Sequence, residues 1–170
     1  MQPKDGKENL LGTGRSMTKT NPIESKLKAD LLLLSGKPCI AIKKDLDDSL
    51  GLTFGSSEEY EIHIEAYADW QFFNKAGVEL SSTESLPGKP LDVVAIDIES
   101  SSVLMIFKDK SEMRIQPSKR DWRSLPNDNA IWSFYVNETT YYLMPNGEIE
   151  YHDDQEGVIT DQLNGFRLEI

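Results

Sequence analysis

Two short stretches, Leu34-Ser35-Gly36-Lys37-Pro38 and Leu86-Pro87-Gly88-Lys89-Pro90, lie 52 residues apart in the sequence and decide the fold. The same spacing relates Asp69-Trp70 to Asp121-Trp122. Matching motifs at both ends of two windows of equal length are typical of a duplicated structural unit. Two copies are too few for a solenoid, so we expect one domain built from two related halves.

Inside these windows the two copies match at further positions. A slip of one residue pairs Phe54 with Phe107 and Ile62 with Ile115. Without a slip, the matches are Asp45/Asp97, Ser49/Ser101 and Leu52/Leu104.

Each copy has the pattern of three β-strands. Short apolar runs separated by polar turns are typical of strands, and the third strand of each copy alternates apolar and polar residues. Such alternation is typical of an antiparallel sheet with one face on a core and the other in water. The strands are predicted at residues 39–42, 50–54 and 59–65 in the first copy, and at residues 91–98, 103–107 and 112–116 in the second.

The chain after the second copy predicts more strands. An aromatic run at residues 131–136 and a return run at residues 139–144 precede Asn146-Gly147, a strong hairpin signal. A further strand is expected at residues 148–152. A last hairpin is expected around Asn164-Gly165, with Phe166, Leu168 and Ile170 on one face.

One helix is predicted before the first copy. Asn21 is a good N-cap, Pro22 suits the first turn, and an apolar face recurs through residues 22–34. Residues 1–20 have no apolar periodicity and are expected to form a flexible tail. We therefore predict a mainly β fold, a duplicated antiparallel β-meander forming a sandwich or split barrel with one N-terminal helix. Residues 21–170 are expected to form a single domain, with repeats at about 34–85 and 86–156.

Composition sets the class of protein. Of 170 residues, 43 are Leu, Ile, Val or Phe, enough for a packed core. A single cysteine excludes an intramolecular disulfide and leaves too few ligands for a Cys-based zinc site. The sequence shows neither an apolar run typical of a signal peptide nor a long apolar segment, so we expect a cytoplasmic protein without membrane partners.

The charge is strongly asymmetric. Residues 1–28 carry six basic and three acidic groups, whereas residues 29–170 carry 12 and 26, a net charge of −14. An acidic body repels phosphate, which argues against direct nucleic-acid binding. The same field accelerates the approach of a basic protein, although excess acid also serves solubility alone.

Catalytic motifs are scarce in this sequence. Glu61, His63 and Glu65 share one strand face, and His152 precedes two aspartates, but a solvated strand explains both groups better than a metal site. Cys39 lies in an apolar run, which indicates an inert buried thiol. We therefore predict neither catalytic residues nor a metal or other cofactor.

The tandem pattern of Leu-x-Gly-Lys-Pro, apolar strand, polar turn, Leu-x-Leu-x-Phe, turn, alternating strand and Trp resembles a group of small bacterial two-repeat β domains. In these, the second copy is followed by an aromatic strand and a short turn, here residues 132–136 and 143–147. Such domains are similar to immunity proteins encoded beside polymorphic toxins. The resemblance spans about residues 34–151 and implies no catalytic residues; Asn146-Gly147 stands where a double glycine would be expected.

Charge, motifs and resemblance together favour a non-catalytic inhibitor, an immunity protein that neutralises a basic toxin such as a nuclease. A small enzyme or ligand-binding protein with an acidic cleft is the first alternative. An inhibitor that mimics nucleic acid is the second. The oligomeric state stays open. The predicted partner-binding residues are the acidic groups Asp45, Asp47, Asp48, Glu58, Glu59, Asp153, Asp154 and Glu156, with Tyr135 or Tyr141 as exposed aromatic anchors.

Overall fold

The computed structural model describes residues 21–44, 49–55, 62–67, 69–80, 90–117 and 130–170. Helix α1 (Pro22–Leu31) begins at the predicted place, because the Asn21 side chain accepts hydrogen bonds from the amides of Ile23 (3.0 Å) and Glu24 (3.1 Å). A 3₁₀ turn (Leu32–Leu34) completes the helical segment. The predicted helix over residues 22–34 is confirmed.

Thirteen strands lie in the described residues and form two antiparallel sheets. The large sheet has the order β1-β2-β3-β9-β10-β11-β12, and the small sheet has the order β13-β6-β7-β8-β4-β5. The strands are β1 (Cys39–Lys44), β2 (Leu50–Phe54), β3 (Ile62–Ala66), β4 (Asp69–Phe73), β5 (Glu79–Leu80), β6 (Val93–Glu99), β7 (Ser102–Phe107), β8 (Glu112–Gln116), β9 (Trp132–Val136), β10 (Thr139–Leu143), β11 (Glu148–Asp153), β12 (Gly157–Gln162) and β13 (Phe166–Glu169).

Each copy contributes one three-stranded meander and then passes to the opposite sheet. The first copy forms β1-β2-β3 in the large sheet, and its next strand, β4, pairs with β8 of the second copy. The second copy forms β6-β7-β8 in the small sheet, and its next strand, β9, pairs with β3 of the first copy. A bridge between Cys39 and Leu91 joins the beginnings of the two copies. Both copies therefore contribute to both sheets.

The two meanders carry the same irregularity at the same place. The register of β1 shifts between Cys39 and Ala41, and the register of β6 shifts between Val93 and Ala95. In each copy the residue before the shift pairs with the last phenylalanine of the next strand. Because bulges are specific features rather than random defects, this correspondence supports a true duplication.

The ungapped register of the sequence comparison is wrong within the second strand. Leu52 is buried, whereas Leu104 points to the outer face and is only half-buried. The slip that pairs Phe54 with Phe107 is confirmed, since both rings are buried beside the bulge. A slip of one residue moves every side chain of a strand to the opposite face. Only the register that pairs Phe54 with Phe107 therefore matches the buried residues of one copy to the buried residues of the other. The Ile62/Ile115 match is also wrong, because Ile62 pairs with Phe54 but Ile115 pairs with Val103.

The predicted last hairpin at Asn164-Gly165 is wrong. β12 pairs with β11 in the large sheet, whereas β13 pairs with β6 in the small sheet, so the residues between them cross from sheet to sheet. Gly165 has φ +88°, and a Cβ there would lie 2.9 Å from the carbonyl oxygen of Ile98. Gly165 therefore allows the backbone conformation with which the chain passes from the large sheet to the small sheet. The shared inward face of Phe166, Leu168 and Ile170 is confirmed.

The strand β4 was not expected from the sequence, which predicts instead that Trp70 and Trp122 close the two units. Trp70 is half-buried against the core, but it lies inside β4, which continues to Phe73 and pairs with β8. Trp122 lies outside the described residues.

A single apolar interior lies between the two sheets, with α1 packed on it through Ile23, Leu27 and Leu31. A polar contact also holds the start of the helix against β12, since the side-chain amide of Asn21 donates to the backbone carbonyl of Gln162 (2.7 Å). The fold is a β-sandwich of two antiparallel sheets with one helix, which confirms the predicted class. The domain boundary at residue 21 and the repeat limits stay predictions, because residues 1–20 and several linking segments are not described.

Candidate functional site

The outer face of the large sheet collects residues from both copies. The register of β2, β3, β9, β10 and β11 aligns their outward side chains in two rows across the sheet. Aromatic, imidazole, hydroxyl and carboxylate groups alternate along these rows. The surface, here called the tyrosine–histidine face, consists of Thr53, His63, Glu65, Ser133, Tyr135, Thr140, Tyr142, Glu150 and His152.

Glu65 is the centre of a hydrogen-bonded cluster on this face. Its two carboxylate oxygens accept hydrogen bonds from the hydroxyl groups of Ser49 and Tyr67, each at 3.0 Å. The Tyr67 oxygen also lies 3.2 Å from Ser133 Oγ, and burial raises the pKa of this phenol above its ordinary value. The phenol therefore remains a neutral donor at physiological pH. This cluster holds Glu65 in place.

His63 lies directly over a glycine of the neighbouring strand. A Cβ at Gly51 would be 3.1 Å from His63 Cε1, a closer approach than most Cβ contacts allow. The missing side chain therefore gives the imidazole room to lie on β2. His63 Nδ1 is also 3.5 Å from Thr53 Oγ1.

A second histidine lies on the same face at the opposite side of the sheet. The ring of His152 meets the ring of Tyr142 edge to face, with centroids 4.9 Å apart. Its Nε2 lies 3.1 Å from a carboxylate oxygen of Glu150. His152, Tyr142 and Glu150 thus form a compact group on β10 and β11.

Tyr135 lies between the two histidines. It pairs in register with His63 on one side and with Thr140 on the other, and Thr140 pairs with His152. The side chain of Tyr135 is 39% exposed, the largest exposure of an aromatic residue described in the structure. Because a tyrosine presents a large apolar ring with a polar tip, this position suits contact with another molecule.

The predicted acidic loop borders this face at the turn between β11 and β12. Asp153 Oδ1 accepts hydrogen bonds from the amides of Gln155 (2.7 Å) and Glu156 (3.0 Å), which lowers the pKa of that carboxyl group. Glu156 lies 3.7 Å from the ammonium group of Lys26. Asp154 is exposed and accepts no hydrogen bond from a described residue. Asp153 therefore shapes the turn, and Asp154 is exposed beside it.

The prediction that Tyr141 is an exposed anchor is wrong. Its ring is 0% exposed and lies on the inner face of β10, beside Phe134 and Tyr151. Its hydroxyl donates to Asp30 of α1. Burial, reinforced by that carboxylate, raises the pKa of this tyrosine. Tyr141 therefore joins the helix to the sheet from the inner face.

The other predicted acidic residues lie outside the described part of the chain: Asp45, Asp47, Asp48, Glu58 and Glu59. The described residues that flank them lie at two ends of the large sheet. Gly55 and Ile62, on either side of residues 56–61, lie at the same end of the large sheet as the β11–β12 turn. Lys44 and Ser49 lie at the opposite end. The described residues that flank the two segments therefore lie at different ends of the sheet.

The remaining chemistry of the described residues is modest. Burial raises the pKa of the Cys39 thiol to about 12, so this cysteine is uncharged at neutral pH. Among the described residues, no three His, Cys, Asp or Glu side chains gather as metal ligands would. Glu61, one member of the group considered in the sequence, is not described.

Sequence reasoning missed Ser133 and Tyr142 on this face, and Tyr67, which follows the end of β3 beside it. Period-two alternation places Ser133 and Tyr142 outward once their strands are known. Ser133 meets Glu65 through the pairing of β3 with β9, which joins residues of different copies, whereas Tyr142 meets His152 across the pairing of β10 with β11.

Comparison of the chain with protein-family models, with curated proteins and with solved structures gives no match. Within the described residues, no helix is long and apolar enough to cross a bilayer.

Proposed function

We propose that this chain is a non-catalytic protein-binding protein of the immunity type, which neutralises a basic toxin by covering part of its surface. The tyrosine–histidine face and the β11–β12 turn are the proposed contact surface. The observation that carries this proposal is the exposed ring of Tyr135 in the middle of a polar face that also holds a second tyrosine and two imidazole rings. Tyrosine is among the residues that dominate binding energy at the centres of protein interfaces.

The distribution of charge supports a basic partner. Glu148 and Glu150 extend along β11, and Asp154 and Glu156 follow at its end. These carboxylates form a rim beside the aromatic centre, and residues 29–170 carry a net charge of −14. Rim charges of one sign steer a partner of the opposite sign and fix its orientation.

The state of the polar groups supports binding without catalysis. Glu65 accepts two hydroxyl donors, and His152 lies against Glu150. These groups already have partners within the fold and are positioned by them. A fixed polar surface of this kind favours recognition, because little side-chain conformational freedom is lost on binding.

The experiment is co-expression of the full chain with the basic product of an adjacent gene. Growth rescue and the dissociation constant of the purified complex are the measurements. We expect Tyr135→Ala to raise the dissociation constant by about 30-fold, the effect of losing a central residue of about 2 kcal/mol. Phe73→Ala is the matched control, since it removes a half-buried aromatic ring from the outer face of the small sheet.

A second pair of variants tests the acidic rim. Asp154→Asn should slow association and weaken its salt dependence while leaving dissociation unchanged. Glu99→Gln removes an exposed carboxylate at the end of β6 and should leave both rates unchanged. The proposal is refuted if no adjacent product forms a complex, or if Phe73→Ala weakens the complex and Tyr135→Ala does not.

A further inference from the structure

The edge strand β12 differs from the other edges of the two sheets. All six of its residues are exposed, including Val158 (61%) and Ile159 (43%). It pairs with β11 in continuous register, and its sequence contains neither proline nor lysine. A long and regular edge with exposed apolar residues readily pairs with another strand. Proteins usually prevent this with short edge strands, bulges, charged residues or proline.

The other three edges among the described strands each have at least one of these protective features. β1 has a bulge and two lysines, Lys43 and Lys44. β5 has only two residues. β13 has four residues, and its outward positions hold the charged residues Arg167 and Glu169. β12, whose one charged residue is Asp161, is therefore the one described edge that is both regular and longer than four residues.

Hydrogen bonding defines which backbone groups of β12 point outward. Leu163 donates its amide to Gly147 (3.0 Å), so it faces β11. In an antiparallel pair, residues alternate between facing the neighbour and facing away. Gln162 therefore faces away, and its carbonyl accordingly accepts from Asn21 (2.7 Å) while its amide donates to Asp161. By the same alternation, Val158 and Thr160 face away.

The amide and carbonyl groups of Val158 and Thr160 thus form a set of four outward groups. None of these four groups has a hydrogen-bond partner among the residues that the structure describes. They are spaced two residues apart on one strand, which is the spacing of successive hydrogen-bonded positions in an antiparallel ladder. One added antiparallel strand would satisfy all four.

We propose that β12 pairs antiparallel with β12 of a second copy of this chain, about a twofold axis at Ile159, joining the two large sheets. In this register Val158 pairs with Thr160 of the second copy, and the reverse pair completes four hydrogen bonds. The two Ile159 side chains meet on the axis, and β-branched pairs of this kind stabilise sheets.

Charge is compatible with this register. Asp161 comes directly opposite Gly157 of the second copy, so no carboxylate directly faces another carboxylate across the pair. The Asp161 side chain is also engaged with the amide of Gln162 (2.8 Å). One symmetric arrangement therefore pairs the free backbone groups, brings the apolar side chains together and keeps the carboxylates from facing each other. The proposed dimer does not depend on the proposed toxin partner.

Cysteine substitution in the full chain tests the register directly. At the axis, the two residues 159 form a non-hydrogen-bonded pair with Cα atoms about 4.5 Å apart, within the range of a disulfide. The two residues 160 are about 8 Å apart, beyond that range. We expect Ile159→Cys to form a covalent dimer under mild oxidation, while Thr160→Cys and the exposed control Val78→Cys stay monomeric. The native Cys39 is buried and does not compete. Equal cross-linking of the variants at positions 159 and 78 overturns the proposal.

Analytical ultracentrifugation and hydrogen exchange of the wild-type chain complete the test. Ile159→Lys should raise the dimer dissociation constant at least about tenfold, and Val78→Lys, at a side chain that is 56% exposed, should not change it. The amides of Val158 and Thr160 should gain protection as concentration rises. A monomer at all concentrations overturns the proposal. Protection that does not depend on concentration also overturns it and would assign this edge to another segment of the same chain.

Discussion

In the first copy, the outward positions of β2 and β3 hold Gly51, Thr53, His63 and Glu65, whereas in the second copy those of β7 and β8 hold Leu104, Ile106, Glu112 and Arg114. The inward positions of the two copies are alike, since all are buried and almost all are apolar. The shared interior constrains one face of each meander, and the other face is free to differ. The difference teaches that the inner pattern carries the fold, and it leaves one outer face as the proposed contact surface.

The strongest test of this comparison is the pair of phenylalanines beside the two bulges. Phe54→Ala and Phe107→Ala should each lower the free energy of unfolding by about 3–5 kcal/mol, because each empties a buried ring site in the shared core. Urea unfolding of the two variants is the measurement. A large loss in one variant and a negligible loss in the other would contradict the equivalence of the copies.

The next test separates the structural register from the ungapped sequence register. Leu52→Ala should lower the free energy of unfolding by about 2–5 kcal/mol. Leu104→Ala, at the position 52 residues later, should cost less than about 1 kcal/mol, because this side chain lies on the outer face. Thermal and urea unfolding of both variants measure the difference, and equal losses would restore the ungapped register.

Substitutions of an inward and an outward tyrosine should change the free energy of unfolding by a smaller amount. Tyr141→Phe removes the hydrogen bond to Asp30 and should destabilise the protein by about 1–3 kcal/mol. Tyr135→Phe should change stability by less than about 0.5 kcal/mol, because Tyr135 is partly exposed on the outer face. Unfolding curves of the two variants provide the comparison. An unchanged stability of Tyr141→Phe would contradict its role in joining helix and sheet.

The smallest expected effect is a pH dependence at the β11–β12 turn. Two backbone amides lower the folded-state pKa of Asp153, so its stabilisation is present above the unfolded-state pKa of about 4 and is lost as pH falls through the lower folded-state value. Asp153→Asn should therefore flatten the acid limb of stability against pH. Asp154→Asn is the control, and an equal change in both variants would remove this explanation.

Much of the architecture could be predicted because local signals were strong. The N-cap at Asn21, the hairpin signal at Asn146-Gly147 and the period-two alternation of β8 each act over a few residues. The exchange of β4 and β9 between the sheets could not be predicted, because it depends on pairings between distant segments. Phe72 alone of β4 is fully buried, so its pattern resembles a loop.

The candidate site was harder to predict for two physical reasons. Thr139–Leu143 contains two adjacent tyrosines, and alternation alone does not decide which faces inward; the pairing of Tyr141 with Phe134 decides it. Asn164-Gly165 has the chemistry of a tight turn but is used to cross between sheets. Local composition fixes the available backbone conformations, and tertiary pairing determines their use.

The most direct test of the central claim is amide hydrogen exchange of the full chain, free and in complex with the proposed basic partner. The account predicts increased protection in β9, β10, β11 and the β11–β12 turn, with β6, β7 and β8 unchanged. Increased protection confined to β6, β7 and β8 would place the partner on the small sheet and contradict the claim that the tyrosine–histidine face is the binding surface.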